Sequence, residues 1–386
     1  MQSFTQSPDD PVFVQNPYPF YDRLRAAGPL SFWTDYAMPV AGAHATVAAL
    51  LRDRRFGREN PVPPRRPAHQ AAFWAVEDHS MLELEPPRHT RLRGSVLRAF
   101  TSRRISAMAP EIADLAHHLI DGFPSGDFDL LDAFARPLPV RVIARLLGVP
   151  EADAPDLLRW SNAMVAMYQA RRTDADEVAA AAAAVDFAAY LADRFRTPPD
   201  EGLITSLLTL TGDARLSPEE ITATCILLLN AGHEATVHTL GNATVDLLAA
   251  GQWRGPVTPE LVEEILRHDP PLHLFTRYAL EDVTTFGHRF SRGDQVGLLL
   301  AAANRDPLAY PAPTLFDPAR FPNAPAHASF GAGLHFCLGA PLARLELLHG
   351  LRALAARCPD LALAETPKYA DIYHFHGLER LIVRTG

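Results

Sequence analysis

Residues 330–339 have the sequence FGAGLHFCLG. Its glycines permit a tight backbone turn, because glycine adopts backbone angles that other residues avoid. Cys337 follows this turn, and the next segment, APLARLE at residues 340–346, begins an amphipathic helix. The free amide groups and the positive dipole end of a helix N-terminus favour a thiolate over a thiol. The sequence therefore places Cys337 where its side chain can ionise.

The chain has two other cysteines, Cys225 and Cys358, and neither carries a comparable signal. A lone cysteine is most often a small buried hydrophobic residue, and we interpret these two in that way. This interpretation does not explain the glycines before Cys337, the aromatic Phe330 or the nearby His335. A thiolate at a helix N-terminus is suited to be the axial ligand of a haem iron, and we infer that chemistry for Cys337.

The composition is that of an average soluble globular protein. The 386 residues are 48% hydrophobic and 21% charged, which excludes disorder, collagen and coiled coil. The net charge of −9 argues against a nucleic-acid binder, which needs a basic surface. No segment approaches the roughly 18–20 apolar residues of a membrane span, and the first residues lack a signal-peptide pattern. We therefore expect a cytoplasmic protein that binds neither nucleic acid nor membrane.

Helical patterns dominate the chain, and strand patterns are few. Residues 60–69 are a predicted loop, because proline fixes φ and lacks an amide donor. The predicted helices are residues 88–98, 103–122, 137–147, 151–170 and 175–196. The predicted strands are residues 37–41, 283–286, 295–300 and 380–384. No segment has the composition of a flexible linker, so we expect one mainly α-helical domain over residues 1–386.

One predicted helix is marked more strongly than the others. The segment Ser217–Glu220 supplies an N-cap serine, a first-turn proline and a capping-box glutamate, and the helical pattern continues to Gly251. Its middle, LLLNAGHEATVHTL at residues 227–240, is largely apolar and predicts a helix through the core. Such a helix can be purely structural, but Gly232 and Glu234 favour a second interpretation, in which the helix borders a ligand. A glycine and an acid inside such a helix indicate a local opening beside a ligand.

The decapeptide at residues 330–339 resembles the haem-binding loop of the cytochrome P450 family, whose pattern is Phe-Gly-x-Gly-x-His-x-Cys-x-Gly. The resemblance implies that the cofactor is haem b, that Cys337 is its proximal thiolate and iron ligand, and that His335 holds a propionate. It also implies the family's mainly α fold, a helical domain with a small β-rich lobe around a buried haem.

Further motifs resemble the family in the expected order along the chain. Glu264 and Arg267 match the Glu-x-x-Arg pair of the family's K helix, although such a pair alone is more often a surface contact. By the same resemblance, the later Arg277 would reach a propionate. His89 and Arg93, one helical turn apart, lie in a segment similar to the family's C helix and would also bind propionates. The alternative for these two is a solvated basic helix end.

The central helix departs from the family's pattern at one position. Family members usually carry an acid followed by an alcohol there, and this pair helps to deliver the protons with which the O–O bond of dioxygen is split. This chain has the acid, Glu234, but Ala235 at the alcohol position and Thr236 one residue later. Three hypotheses stay open: Thr236 or an ordered water replaces the hydroxyl, a substrate hydroxyl replaces it, or the oxidant is hydrogen peroxide. We interpret His233 as a core or substrate-side residue and not as a metal ligand.

The resemblance implies a haem-thiolate monooxygenase that hydroxylates or O-dealkylates a small to mid-sized, mostly apolar molecule. The alternatives are a peroxygenase driven by hydrogen peroxide and a non-catalytic haem-binding protein. Glu234 argues against the latter, because a pure binder needs no buried carboxylate. The sequence has no flavin or iron–sulfur segment, so we expect that electrons come from a ferredoxin and ferredoxin reductase. We also expect a monomer.

Two surfaces follow from the same resemblance. The docking surface for the redox partner would include Arg98, Arg103, Arg104 and Arg344. The substrate pocket would be lined by a loop at residues 71–80, a helix at residues 164–169, residues 272–275 and 372–375, and the central helix near Leu227 and Ala231. His273, Tyr373 and His374 are the predicted polar anchors of that pocket.

Overall fold

The computed structural model describes residues 1–63, 65–169, 172–371, 373 and 375–385. Helix predominates over strand in this part of the chain, as the sequence predicts. The helices are α1 (Pro11–Gln15), α2 (Tyr18–Ala26), α3 (His44–Arg52), α4 (Ala71–Glu77), α5 (Arg88–Ala99), α6 (Ser102–Ala107), α7 (Ala109–Asp121), α8 (Pro137–Leu147), α9 (Ala154–Val165), α10 (Asp174–Arg196), α11 (Leu203–Leu208), α12 (Pro218–Ala249), α13 (Pro259–His268), α14 (Leu300–Asn304) and α15 (Ala340–Arg357). None of the helices in the described ranges combines the length and the apolar character that a membrane span requires.

The strands are short and form small sheets. They are β1 (Ser3–Phe4), β2 (Ser31–Trp33), β3 (Met38–Ala41), β4 (Phe56–Gly57), β5 (Asp127–Asp129), β6 (Leu274–Ala279), β7 (Val283–Thr285), β8 (His288–Phe290), β9 (Gln295–Leu299), β10 (Ala362–Leu363), β11 (Lys368–Tyr369), β12 (Leu378–Arg380) and β13 (Ile382–Arg384). The largest sheet has the order β1-β2-β3-β9-β6-β4, and β6 pairs antiparallel with β9. A second sheet has the order β10-β13-β5.

The chain divides into two compact units. The first unit comprises Met1–Val62, Ala113–Ala135 and Ala235–Gly386 and contains the strands named above. The second unit comprises Pro63–Ile112 and Arg136–Glu234, and its described residues form helices and loops. The single domain expected from the sequence stays a prediction.

The central helix α12 begins as its capping sequence predicts. The amide of Glu220 donates to Oγ of Ser217 at 3.2 Å, and the amide of Ser217 donates to Oε2 of Glu220 at 2.9 Å. These reciprocal bonds satisfy two amide groups that a helix N-terminus otherwise leaves without partners. The predicted capping box is therefore confirmed.

Two predictions about helices are corrected by the structure. The single helix predicted over residues 103–122 is two helices, α6 and α7, and the second has Pro110 in its first turn. Proline has no amide to donate to the preceding turn, so it begins a new helix there. The predicted pocket loop at residues 71–80 is largely helix α4. In the predicted helix 151–170, Ala170 lies outside the described residues.

The strand predicted at residues 380–384 is divided into β12 and β13. The amide of Leu381, between them, donates at 3.0 Å to the side-chain Oδ1 of Asp129 on β5 and not to a backbone carbonyl group. Strand β6 was not predicted, although it has six residues. Its pairing with β9 joins segments about 20 residues apart in sequence, and such non-local pairing leaves no signal in a short window.

The first unit has an aromatic core near its N-terminal helices. Phe13, Phe20, Tyr21, Trp33 and Tyr373 are all buried. The rings of Phe20 and Trp33 lie 4.9 Å apart between centroids, and those of Phe13 and Tyr373 lie 5.2 Å apart. This core fixes α1 and α2 against the C-terminal segment of the same unit.

Candidate active site

The residues around Cys337 form a closed turn in the first unit. Gly331 and Gly333 have φ angles of +66° and +72°, in the left-handed region that glycine adopts readily. Space also excludes a side chain at Gly333, where a Cβ atom would lie 2.5 Å from the carbonyl oxygen of Leu51. The amide of Cys337 donates to the carbonyl oxygen of Phe330 at 2.9 Å. This bond closes the turn that the two glycines make possible.

Cys337 differs from the other two cysteines in its surroundings. Cys225 and Cys358 are buried, and burial raises the pKa of the Cys225 thiol to about 12 and also raises that of Cys358. Cys337 is only partly buried, and helix α15 begins directly after its turn. The free amides at the start of α15 favour the ionised form of a nearby thiol. Of the three cysteines, Cys337 therefore has the location that suits a ligand.

The predicted pair of Glu264 and Arg267 is fully buried, and so is not a surface contact. Arg267 donates from Nε and Nη2 to the two carboxylate oxygens of Glu264, at 2.7 Å each. Its Nη1 donates to the carbonyl oxygens of Asn304 and Pro313, at 3.0 and 2.8 Å. The amide of Asp317 donates to Glu264 at 2.7 Å. The pair thus ties α13 to the chain that precedes the cysteine turn.

Arg344, predicted as part of the docking surface, is engaged within the first unit. Its Nε and Nη2 donate to the carboxylate of Glu263 at 2.5 and 3.0 Å. Its guanidinium lies 4.7 Å from the ring centroid of Phe330. Burial opposes the ionisation of Glu263, but hydrogen bonds from Arg344 and His327 lower the pKa of Glu263 to about 2. Arg344 therefore packs on the first residue of the cysteine turn and is a poor probe of partner docking.

Two of the predicted propionate ligands lie in the first unit. Arg277, on β6, is 2% exposed, and its Nη1 donates to the carbonyl oxygen of Thr276 at 2.9 Å. His335 ends a short 3-10 turn within the cysteine loop and is half-buried. A guanidinium stays charged even when buried, and its planar fork matches a carboxylate. Arg277 is therefore suited to an anionic ligand group.

The other two predicted propionate ligands lie in the second unit, on α5. His89 is 1% exposed, and Arg93, four residues later, is half-buried. Residues four apart lie on the same side of a helix. A solvated helix end does not describe a histidine that is almost completely buried. The alternative of a solvated helix end therefore does not apply to His89, and propionate binding by this pair stays a prediction.

Helix α12 is continuous through the polar residues of its middle. Ala231 is exposed there, and Gly232, Glu234 and Ala235 are half-buried, although most residues of the neighbouring turns are buried. This accessible surface agrees with the predicted opening beside the helix. Gly232 also has a packing role, because a Cβ atom would lie 2.9 Å from Cδ1 of Ile143 on α8.

His233 pairs with Glu234, a contact that the sequence did not reveal. Nδ1 of His233 donates to the carbonyl oxygen of Leu229 at 3.0 Å. Its Nε2 lies 3.2 Å from Oε2 of Glu234 and 3.2 Å from Oδ1 of Asn162. His233 is buried, whereas the Glu234 side chain is 25% exposed. The available signal was the occurrence of two adjacent polar residues in an otherwise apolar helix.

Thr236 contacts a different acid. Its hydroxyl hydrogen-bonds to the carboxyl group of Glu346 on α15, and both residues are buried. Burial raises the pKa of Glu346 well above its ordinary value, against the smaller opposing effect of the Thr236 hydrogen bond. Burial therefore favours the protonated, neutral form of Glu346. The sequence placed Glu346 within the helix after the cysteine but gave no sign of this contact.

Two of the predicted polar anchors of the substrate pocket, His273 and Tyr373, contact the N-terminal aromatic core of the first unit instead. Oη of Tyr21 lies 2.9 Å from Nδ1 of His273 and 2.7 Å from Oη of Tyr373. Both His273 and Tyr373 are buried in contact with the N-terminal aromatic core. The third predicted anchor, His374, lies outside the described residues, as does Ile372 of the same predicted wall.

Comparison with known proteins agrees with this geometry. A sequence model of the family described as "Cytochrome P450" matches residues 254–357. Cytochrome P450 monooxygenase PikC from Streptomyces venezuelae is 37% identical to the chain, over 92% of this chain and 87% of that protein. The chain belongs to the cytochrome P450 family.

Further relatives support the same assignment. The 6-deoxyerythronolide B hydroxylase of Saccharopolyspora erythraea is 40% identical to this P450, over 78% of this chain and 76% of that protein. The crystal structure of P450BioI in complex with hexadec-9Z-enoic acid ligated acyl carrier protein has a TM-score of 0.89 at 36% identity, and covers 97% of this chain and 100% of that chain. The fold is thus the predicted P450 fold, and the chain is a P450 monooxygenase. The family implies a haem-iron cofactor, a redox partner and a small-molecule substrate.

The residues of this P450 fit a haem in two respects. The closed turn presents a partly accessible thiol at a helix N-terminus, which is the donor that haem iron takes in this family. The buried Arg277 and His89 are donor groups of the kind that bind carboxylates. A haem carries two carboxylates, so its polar edge requires side chains of this kind.

Proposed function

We propose that this P450 uses haem b, dioxygen, and electrons from a ferredoxin and ferredoxin reductase to hydroxylate or O-dealkylate a small to mid-sized, mostly apolar substrate. The observation that carries the proposal is the closed turn that presents Cys337 directly before α15. Relatives that are named as a monooxygenase and a hydroxylase support the reaction class.

The cofactor would be held by residues of the cysteine turn, β6 and α5. Sγ of Cys337 would bind the haem iron. The propionates would be bound by His89, Arg93, Arg277 and His335. When bound, haem supplies the redox centre at which the O–O bond of dioxygen is split.

Glu234 would hold a proton that the reaction consumes. Its Oε2 lies 3.2 Å from Nε2 of His233. Because Nδ1 of His233 donates to Leu229, Nε2 is the nitrogen that exchanges a proton with Glu234. The partial exposure of Glu234 lets it pass that proton towards the accessible side of α12, where a substrate would lie.

A hydroxyl group of the substrate would complete the proton relay. Ala235 offers only a methyl group, and the hydroxyl of Thr236 is bonded to Glu346. Of the three hypotheses drawn from the sequence, the substitution of Thr236 for the missing alcohol is therefore the least supported. We expect a substrate that is mostly apolar but carries at least one hydroxyl near its oxidised carbon. Removal of that hydroxyl should lower the yield of product per electron pair, while substrate binding persists.

Peroxygenase activity is the second candidate function, and Ala235 is the observation that favours it. Hydrogen peroxide brings an O–O bond that is already reduced, so it depends less on a proton relay. Product formation should be compared between hydrogen peroxide and a ferredoxin system at equal enzyme concentration. Faster and more complete turnover with peroxide would favour the peroxygenase over the monooxygenase.

Electron delivery would depend on exposed arginines. Arg98 and Arg103 are exposed in the second unit, whereas Arg104 donates to Oγ of Ser206 at 2.9 Å. An Arg98→Glu/Arg103→Glu variant should be reduced more slowly than wild type by an acidic ferredoxin, and the difference should shrink at high salt. Arg289→Glu, on the β7–β8 hairpin, serves as the control with an exposed arginine. Equal reduction rates in all three proteins would exclude this docking surface.

The direct test of the cofactor assignment is the carbon monoxide difference spectrum of the reduced protein. Wild type should show the strongly red-shifted Soret band of thiolate ligation, and Cys337→His should abolish it. Cys358→Ala removes a buried thiol outside the turn and should retain the band. A wild-type Soret band at the position of histidine-ligated haem would overturn the monooxygenase proposal.

A further inference from the structure

Three metal-ligating side chains meet in a buried cluster of the first unit. Asp269 follows the end of α13, His273 lies four residues later, and His376 belongs to the C-terminal segment. They are 5%, 0% and 6% exposed. One donor atom from each, a carboxylate oxygen or an imidazole nitrogen, lies within 4.8 Å of the other two. None of the roles proposed above for this P450 uses this cluster.

Three of the four imidazole nitrogens of the cluster are buried without a hydrogen bond to the described residues. Nε2 of His273 and both ring nitrogens of His376 have no hydrogen-bond partner among the described residues. Nδ1 of His376 lies 3.2 Å from Oδ1 of Asp269 but lacks the geometry of a hydrogen bond. Buried polar atoms are nearly always paired, so these nitrogens indicate a ligand that the protein itself does not supply.

The surrounding tyrosines orient the cluster as the outer partners of a metal site do. Nδ1 of His273 lies 2.9 Å from Oη of Tyr21, whose own hydroxyl bonds to Tyr373 at 2.7 Å. Either hydroxyl of the Tyr21–Tyr373 pair can be the donor. When Tyr21 donates to Tyr373, Nδ1 of His273 donates to Tyr21, and Nε2 keeps the lone pair that a metal ligand needs. Metal-ligating histidines are fixed in this way through their second nitrogen.

The carboxylate of Asp269 is oriented in the same manner. Tyr369 donates to its Oδ2 at 2.9 Å, and Tyr18 donates to its Oδ1. The ring of Tyr369 stacks on His376 with 3.7 Å between centroids. These contacts hold the carboxylate and the second imidazole on facing sides of one small space.

Two of the three distances between ligand atoms are close to those around a tetrahedral ion. Ligand atoms about 2.1 Å from a tetrahedral zinc lie about 3.4 Å from one another. Oδ1 of Asp269 lies 3.2 Å from Nδ1 of His376 and 3.8 Å from Nε2 of His273. Two imidazoles with one carboxylate suit a transition ion such as zinc, whereas calcium and magnesium prefer oxygen ligands.

We propose that Asp269, His273 and His376 bind a zinc ion that is separate from the haem. The ion would connect the end of α13 with the C-terminal segment, and the tyrosines would connect both to α2. Its role is structural, because all three ligands are buried. The proposal does not depend on the function assigned to Cys337.

The test is a metal analysis of the haem-loaded protein. The protein is treated with a chelator, equilibrated with zinc chloride, passed through a desalting column and analysed for zinc and iron by mass spectrometry. Wild type should retain about one zinc per chain, and Asp269→Asn and His376→Ala should retain at least tenfold less. His117→Ala/His118→Ala, which removes two exposed histidines, is the control and should retain as much as wild type. Equal retention in wild type and the cluster variants would overturn the proposal.

A second measurement uses wild type alone, in case a cluster variant folds poorly. X-ray absorption at the zinc edge is not affected by haem iron. It should show nitrogen and oxygen neighbours at about 2.0–2.1 Å with the outer-shell pattern of two imidazoles. A sulfur neighbour at about 2.3 Å would place the zinc on a cysteine and overturn the proposal. So would a failure of wild type to retain zinc.

Discussion

The hydrogen bond between Thr236 and Glu346 makes the proton-relay proposal testable with one substitution. Thr236→Val keeps the shape of the side chain and removes its hydroxyl. In the structure that hydroxyl is bonded to Glu346, and Oε1 of Glu346 has no hydrogen-bond partner among the described residues. The variant therefore deprives a buried carboxyl group of its contact with Thr236, without changing Glu234 or Ala235.

The expected loss is one of stability, not of activity. A buried polar group that loses its hydrogen-bond partner costs about 1–3 kcal/mol of unfolding free energy. In domains of 150–250 residues, 1 kcal/mol shifts the thermal midpoint by about 2–4 °C, so we expect a fall of several degrees. The product yield per electron pair should change less than about twofold. Loss of a group that transfers protons directly lowers a rate by about 10²–10⁴, so the two outcomes are well separated.

The assay pairs thermal unfolding, followed by circular dichroism, with product yield per NADH in a ferredoxin-supported reaction. Thr239→Val is the matched control, because Thr239 lies on the same helix, is buried, and donates its hydroxyl to the carbonyl oxygen of Ala235 at 2.7 Å. The reasoning would be refuted if Thr236→Val kept the wild-type midpoint and lost product yield a hundredfold. Thr236 would then be the alcohol of the relay.

Three other predictions concern Glu346, Glu264 and Glu234. Glu346 keeps its proton when folded and releases it when unfolded above pH 4.5, so stability should fall as the pH rises from 4.5 towards its raised pKa. Glu346→Gln should remove this fall and raise the thermal midpoint at pH 7.5; an unchanged pH slope would contradict the assignment. Arg267→Ala leaves the charge of Glu264 buried and should lower the free energy of unfolding by about 3–5 kcal/mol. A thermal midpoint equal to that of wild type would contradict this expectation. Glu234→Gln should lower product yield per NADH at least tenfold with an unchanged haem spectrum. His233→Gln should shift the pH dependence of that yield, whereas a purely structural role of His233 would leave the pH dependence unchanged.

The elements that could be predicted from the sequence are those encoded by neighbouring residues. The start of α12 follows from serine and glutamate three residues apart, whose side chains and amides bond reciprocally. The turn before Cys337 follows from Gly331 and Gly333, because few other residues adopt their φ angles. In both cases the physical cause lies within a few residues, so a short window of sequence contains it.

The contacts that could not be predicted join residues that are far apart in the chain. Thr236 and Glu346 are 110 residues apart, and each alone fits an ordinary helix. Asp269 and His376 are likewise separated by 107 residues. Helical periodicity fixes which residues share a face of one helix, but it carries no information about which distant segment covers that face. Even the pairing of His233 with Glu234 depends on the burial of His233, which its own sequence context only partly indicates.

The exposures along α12 explain why Thr236 does not simply replace the alcohol one position later. Glu234 and Ala235 are half-buried, whereas Thr236 is buried. One residue turns a side chain by about 100°, which is enough to move a hydroxyl from the accessible side of the helix to the side that packs on α15. Because Thr236 follows Ala235, its hydroxyl points to the buried side of the helix and hydrogen-bonds to the carboxyl group of Glu346. The accessible side is left with an acid and a methyl group, and for this reason we propose that a substrate hydroxyl, and not Thr236, completes the relay.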